Sequence, residues 1–535
     1  MIVRVATEIN DTVDILPAFG ALRLGRCLVL AGALMTSACA VGPDYGLPSI
    51  AIPSAWRATA DKSAAPAPKL TQWWRGFNDP ILSALVDEAI AGNLDVATAK
   101  ARIREARANR QQAIGSLWPN ASAVNNANWQ YAGTSSGNGA SPAGGTTQAA
   151  SISRSFQAGF DASWEIDLFG GNARSIEAAT YSVDASAEQL RSTLLSLIGD
   201  VAGNYMEARG YQARMALARR TAAAQRATVN LTKTKFDVGS AASVDVEKAT
   251  AQALSTEVDL PTSEAAYAQT VHRLSILLGK APDTVGATLM RGPVAIPRLD
   301  KPLPLGIPAD ILSNRPDVRL AERQLAQATA QIGVSEANQY PTVSLTGSVT
   351  TSGTNLADLG RASTIGWALG PSVSVPLFNG GALQAATDAA RARRDESLLS
   401  LQSSVLAALG DVENAIVALQ KERMRFAKLS EAAEHSRTAA RLSKSLFETG
   451  TASFLDTLDA ERSLYGAEDA LLQSRVSIAT DTIALAKALG GGWTGPIDAG
   501  EPLVNDGYTG PHIATPPVPP LAFTASLADT ERPTQ

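Results

Sequence analysis

Two stretches of the chain carry a helical apolar spacing too long for an ordinary domain. Leu398, Leu401, Val405, Leu409, Val412, Ile416 and Leu419 step by threes and fours, the seam of a supercoiled helix pair. Leu190, Leu194, Leu197, Val201 and Tyr205 repeat it. No proline interrupts 172–236 or 382–447. Each stretch, roughly 65 residues, reaches about 95–100 Å as an α-helix. Shorter helices are predicted around them. Asp79-Pro80 sets an N-cap and a first-position proline for a helix to about Leu117, and Asn314–Asp317 (NRPD) starts its counterpart. Ser243 to Leu278 and Ser453 to Leu489 complete the set.

Elsewhere the period falls to two. Phe156, Ala158, Phe160, Ala162, Trp164 and Ile166 alternate with Gln157, Gly159, Asp161, Ser163, Glu165 and Asp167, which predicts a strand over about 154–168. A weaker alternation predicts a strand at about 120–131, and the second half repeats the alternation at about 341–351 and 364–376. Gly133 to Ala150, rich in Gly, Ser, Thr and Asn, reads as the loop between the first two. One apolar and one strongly polar face suits a barrel with lipid outside and water inside. Two soluble hairpins packed on helices are the alternative, against which the polar faces argue. Four strands cannot close a barrel, since small ones need about eight, so the barrel reading demands oligomerisation.

The two halves follow one plan. FDASWEIDLFGG (160–171) answers PSVSVPLFNGG (371–381), and KFDVGSAASVDV (235–246) answers LFETGTASFLDTL (446–458). Phe169 and Phe378 lie 209 residues apart; Gly239 and Gly450, like Gly279 and Gly490, lie 211 apart. This reads as duplication of a helix–hairpin–helix module, over 81–302 and 303–490, joined near Pro297 to Pro308. A segment 39–80 precedes the repeats. A Gly-, Pro- and Thr-rich tail, 491–535, follows them and reads as flexible.

The N-terminus reads as an export signal occupying 1–38. Arg23 and Arg26 precede an apolar run, Leu28 to Met35, then small residues and Cys39. Thr36-Ser37-Ala38-Cys39 resembles a lipobox, which makes Cys39 the expected lipidation site; a plain signal peptide is the alternative. Residues 1–20 carry Glu8, Asp11 and Asp14 and fit a spurious upstream start.

Composition narrows the function. A net charge of −5 gives no basis for nucleic-acid binding. After the first 40 residues no run of about 20 uncharged apolar residues occurs, so a membrane role requires a closed β-barrel. Cys27 and Cys39 are the only cysteines, and His272, His435 and His512 stand apart without ligand spacing. No phosphate loop, metal site, cofactor fingerprint or catalytic constellation is present, so no enzyme is expected.

The motifs together carry a resemblance. Cys39-Ala40-Val41-Gly42-Pro43-Asp44-Tyr45, Trp73-Trp74, Phe77, Asp79-Pro80, WEIDLFG (164–170), NRPDV (314–318), YPTVSLTGS (340–348), PLFNGG (376–381) and FLDTLDAERSLY (454–465) resemble the TolC-like outer membrane efflux family, in its nodulation-type lipoprotein branch. The resemblance implies a mainly α protein with a membrane β-barrel. Three chains would form a twelve-stranded barrel in the outer membrane, continued by a periplasmic α-helical tunnel. It implies a passive duct for drugs or other small molecules. The implied partners are outer-membrane lipid, a periplasmic adaptor (membrane fusion) protein and an inner-membrane RND-type transporter. A duct for type I protein secretion and a periplasmic coiled-coil scaffold are the alternatives.

It also implies site residues. The turns Val238-Gly239-Ser240 and Thr449-Gly450-Thr451 would contact the adaptor, besides capping helices through their glycines. Asp456 and Asp459 would ring a periplasmic gate, with Asp245 as the first-half counterpart; first-turn acids complementing a helix dipole are the plainer reading. Phe447 and Ala452 occupy places where relatives often carry Tyr and Arg in links that hold the gate shut, so a different latch is expected here.

Overall fold

The computed structural model describes residues 40–57, 70–132, 151–291, 294–299, 303, 305, 308–492 and 497–500. Cys39, the export signal with its 1–20 extension, the Gly133–Ala150 loop and most of the tail 491–535 lie outside the described residues. Every element below belongs to one unit ending at Ala499.

The first half runs α1 (Pro80–Gly92), α2 (Leu94–Gly115), β1 (Asn120–Ala132), β2 (Ser151–Ile166), α3 (Gly171–Asp237), α4 (Ser243–Leu277) and a short α5 (Gly286–Met290). The second runs α6 (Pro308–Asn314), α7 (Pro316–Ala337), β3 (Thr342–Gly353), β4 (Ile365–Ser374), α8 (Ala382–Thr449) and α9 (Phe454–Ala488). The two long helices have 67 and 68 residues, about 100 Å each at ~1.5 Å per residue. Their seams face inward: Leu190, Leu194, Leu197, Val201 and Tyr205 are buried, as are Leu401, Val405, Val412, Ile416 and Leu419.

The helix expected from Pro80 to Leu117 is two helices, broken at Asn93. The Asn93 carboxamide oxygen accepts from Asp95 N (2.8 Å) and Val96 N (3.0 Å), which caps α2. Its Nδ2 donates to Leu277 O (2.9 Å) at the end of α4. There the backbones nearly touch: a Cβ on Gly279, whose φ is +71°, would fall 2.1 Å from Gly92 O. The second half uses an ion cluster at the same joint. Arg315 Nη1 donates to Ala488 O (2.9 Å), 211 residues beyond Leu277. The same guanidinium pairs with Asp317 (2.7 Å) and Asp411 (3.0 Å).

The main core lies where α1, α3 and α4 meet a 3-10 turn at Trp73–Phe77. Asp79 begins this region by accepting from Ile81 N (2.9 Å) and Leu82 N (3.1 Å). Its other carboxylate oxygen accepts from the Tyr205 hydroxyl (2.6 Å). Burial, and that carboxylate, push the Tyr205 hydroxyl above its ordinary pKa. Tyr205 in turn accepts from Arg209 Nε (3.0 Å), and Arg209 Nη1 reaches Leu289 O (2.9 Å) on α5. Arg209 is only 1% exposed; its Nε and Nη1 donate to neutral oxygens, and its Nη2 has no hydrogen-bond partner among the described residues.

The strands form one antiparallel sheet in the order β1-β2-β3-β4. The central pair, β2 with β3, joins the two halves, with Phe160 opposite Val349 and Trp164 opposite Leu345. β1 and β4 are the free edges. One face of the sheet is exposed and apolar: Trp129 is 60% exposed, Phe160 69% and Trp367 78%. Gln157, Asp161 and Glu165 occupy the other face, set by the period of two.

Candidate functional site

At the far end of the long helices the chain reverses twice, with the same hydrogen bonds each time. After α3, Gly239 N donates to Phe236 O (2.9 Å) and Ser240 N to Lys235 O (2.7 Å). After α8, Gly450 N donates to Phe447 O (3.1 Å) and Thr451 N to Leu446 O (2.9 Å). This paired closure satisfies orphan carbonyls and needs a left-handed residue, supplied by Gly239 (φ +76°) and Gly450 (φ +80°). A side chain added at either glycine would meet no atom within 4 Å, so both open outward. The hydroxyls of Ser240, Thr449 and Thr451 fold back onto the Lys235, Ser445 and Leu446 carbonyls. Val238 alone of the six turn residues presents a large apolar side chain, 74% exposed.

The turns of the two halves are tied into one tip. Phe447 and Phe454 pack edge to face (5.7 Å), with Leu458 and Ala249 completing a small core from α8, α9 and α4. Lys235, two residues before the end of α3, crosses to the other turn. Its Nζ donates to Phe447 O (2.6 Å) and stands 4.7 Å above the Phe447 ring. Phe447 meets this cation with its carbonyl and its ring face.

The three aspartates are not equivalent. Asp456 is absorbed locally: its carboxylate accepts from Ser453 Oγ (2.9 Å) and Ser453 N (3.3 Å), while Asp456 N donates back to Ser453 Oγ (3.3 Å). That reciprocal pair is a capping box. Asp245 makes half of one, accepting from Ala242 N (3.4 Å), because alanine has no oxygen to return. Asp459 is exposed on the same helix as Asp456.

Behind the tip, charged ties cross between the halves. Arg214 grips Asp469 in two bonds (2.7 and 3.1 Å), Tyr465 donates to Asp259 (2.8 Å), and Arg220 and Arg437 share Glu468 (2.7 Å each). Burial, then the Asp259 carboxylate, raise the pKa of the Tyr465 hydroxyl. Burial raises that of Glu461, which accepts from Thr228 (2.8 Å). Beside them lies a cavity of about 530 Å³, lined by Arg441, Lys444 and Glu461 among others. Lys235 and these pairs were missed by sequence reasoning. Arg214 and Asp469 are 255 positions apart, and no local spacing marks such a pair.

Among the described residues no helix is long and apolar enough to cross a membrane, and no three His, Cys, Asp or Glu cluster as metal ligands. The family model for outer membrane efflux proteins matches residues 85–280 and 307–491. The chain belongs to the outer membrane efflux protein family. It is 34% identical over 468 residues to nodulation protein T of Rhizobium leguminosarum bv. trifolii, covering 87% of this chain and 97% of that one. It is 30% identical over 474 residues to the pyoverdine export outer membrane protein OpmQ of Pseudomonas aeruginosa, covering 87% and 96%. Among solved structures it is similar to the outer-membrane channel OprN. The TM-score is 0.77 and the identity 34%, over 85% of this chain and all of that one. This outer-membrane efflux protein is thus a channel component, and its fold is mostly helical with one small sheet.

Proposed function

We propose that the protein is the exit duct of a tripartite efflux pump, a passive channel for drugs or other small molecules. Three chains close their sheets into a twelve-stranded barrel in the outer membrane, and their long helices form the periplasmic tunnel. The observation that carries this reading is a four-stranded sheet, apolar on one face and open at both edges, continuous with helices of 67 and 68 residues. An open apolar sheet must be closed before it can sit in lipid, where unpaired backbone groups are costly. Cys39 carries the lipid anchor, and a Cys39→Ser chain loses lipid labelling. An inner-membrane RND-type transporter supplies the energy. A periplasmic adaptor docks on the two turns, where Val238, Gly239 and Gly450 face outward.

The gate reading divides among the acids. Asp459 projects the free charge into the entrance. Asp456 and Asp245 hold the first turns of α9 and α4, which sets where Asp459 points. Single-channel conductance in planar bilayers tests this, comparing wild type with Asp459→Ala and with the Asp456→Ala/Asp459→Ala double variant. Low wild-type conductance that rises in Asp459→Ala, and further in the double variant, supports the acidic gate. Equal conductance in all three places the constriction elsewhere, and a trimer that never conducts refutes the duct.

A further inference from the structure

The segment 296–299, which follows α5 toward the second half, lines a cavity of about 240 Å³ together with α8, α9 and Phe77. That is smaller than the ~300–1,000 Å³ of a drug-sized site. Most of the wall is apolar, from Phe77, Ile296, Leu299, Phe426 and Ile478. Its charged residues are Arg298, Arg423 and Arg475, one each from the segment, α8 and α9; among the described residues no acidic side chain lines it.

These arginines lack the partners that the chain gives to others. Arg174, Arg214 and Arg315 each hold a carboxylate at 2.7 Å. Arg298, Arg423 and Arg475 make no ion pair among the described residues. Arg475 is half-buried, its Nε is shut off from solvent without an acceptor, and its guanidinium lies 5.7 Å from the Phe426 ring centroid. Burial, then the Arg298 charge, press its pKa below the ordinary value, so the charge that reaches it is another cation. Glu422, beside Arg423 in the chain, is held by Arg425 (3.3 Å) and by the Ser474 hydroxyl, which donates to it (2.6 Å). A buried donor without an acceptor in a native fold calls for a water or an ion.

The matching place in the first half is closed by the chain itself. The buried seam residues Leu190 and Leu401, and Val201 and Val412, lie 211 positions apart. By the same step Arg423 answers Gln212, and Ile478 answers Tyr267. Gln212 accepts from Arg209 Nη1 (2.8 Å) and donates to the Tyr267 hydroxyl (3.1 Å). Arg209 there meets three neutral oxygens, on Tyr205, Gln212 and Leu289. In the second half three cations face an apolar wall instead.

We propose that this cavity binds a small organic anion, a carboxylate carried on a compact apolar body. Each guanidinium can take a carboxylate in two parallel hydrogen bonds. An inorganic oxyanion would answer the arginines and leave the apolar wall uncovered, whereas a single-ring carboxylate answers both. Bound there, the anion ties 296–299 to α8 and α9 and stabilises the folded chain by mass action. This reading needs neither the duct nor the gate.

Benzoate is the probe, titrated calorimetrically into the full chain in detergent, beside benzamide, acetate and chloride at equal ionic strength. Saturable benzoate binding is expected, tighter than that of benzamide or acetate by roughly tenfold or more, with a rise in melting temperature that only benzoate gives. Arg423→Gln and Arg475→Met should each weaken it by roughly tenfold. Arg226→Gln, which loses only the pair with Glu257, should leave it unchanged. In chloride alone Arg475→Met should melt no lower than wild type, because it removes a donor that has no acceptor and keeps the packing on Phe426. Equal affinity for benzoate and benzamide would make the cavity merely apolar and overturn the anion site. Benzoate binding that survives both substitutions would put the site elsewhere. No saturable binding, or an Arg475→Met chain that melts well below wild type in chloride, would mean that the folded protein already pairs these arginines, and the proposal falls.

Discussion

Replacing Lys235 by Met removes one charge from the tip and leaves the rest of the side chain nearly intact. The methionine still lies across the Phe447 ring, so packing is largely kept. What is lost is a charged hydrogen bond to Phe447 O at 2.6 Å and a cation 4.7 Å from the ring centroid. Hydrogen bonds to charged groups contribute about 1.5–3 kcal/mol, and exposed cation–π contacts about 0.5–1 kcal/mol. Lys235 is half-buried, so the low end of each applies, and the sum is about 2 kcal/mol. That is roughly a thirtyfold change in an equilibrium constant, since ~1.4 kcal/mol is tenfold. If the link holds the tip closed, a duct open about 1% of the time would be open about a quarter of the time. Open probability in planar bilayers reads this directly. Lys235→Arg, which keeps the cation, should restore most of the closed fraction. Raising salt should narrow the difference between wild type and the methionine variant, because part of the link is exposed to screening. An open probability in Lys235→Met equal to wild type would refute the latch, whatever the variant's melting temperature.

Two further outcomes follow from other parts of the molecule. Gly450→Ala places a Cβ in open space at φ +80°, so it should cost only the left-handed penalty of about 1–2 kcal/mol. Gly279→Ala adds an overlap with Gly92 O at 2.1 Å and should melt several degrees lower, by ~2–4 °C per kcal/mol; equal melting temperatures would deny the close approach. At the other joint, burial pushes Asp317 up, but its bonds and charge pairing with Arg315 and its backbone hydrogen bonds outweigh this and hold its pKa below the ordinary value. The folded chain then binds fewer protons than the unfolded one as the pH falls through that range. The Arg315 clamp therefore contributes fully above the ordinary aspartate pKa of about 4 and fades as pH drops through the lower folded value. Melting wild type and Asp317→Asn from pH 7 down to pH 3 checks this, and a constant difference between them would count against it.

The features legible in the sequence were the ones whose cause is local. A proline-free run with apolar steps of three and four fixes a long helix with a buried seam, because the period of the helix itself sorts the side chains. Alternation from Phe156 to Ile166 fixes a strand for the same reason. Gly239 and Gly450 announce their turns because few other residues tolerate φ near +80°. Asp456 was also readable as a first-turn acid, because a helix was expected from Ser453.

What escaped were contacts between distant positions. The break at Asn93 depends on Leu277 O, 184 residues away, and on a backbone approach that only the folded joint imposes. Nothing near Lys235 says that its charge ends on Phe447, 212 residues on. Nor does any local pattern say that β2 pairs with β3 and leaves β1 and β4 as edges. The sequence alone determined the lengths of the helices, the faces of the strands and the two reversals, since each follows from the geometry of neighbouring residues. The tertiary structure decided how the halves join and, among the described residues, which aspartates find a hydrogen-bond donor. Those outcomes depend on which surfaces come together in space, and chain separation hides that from any local pattern.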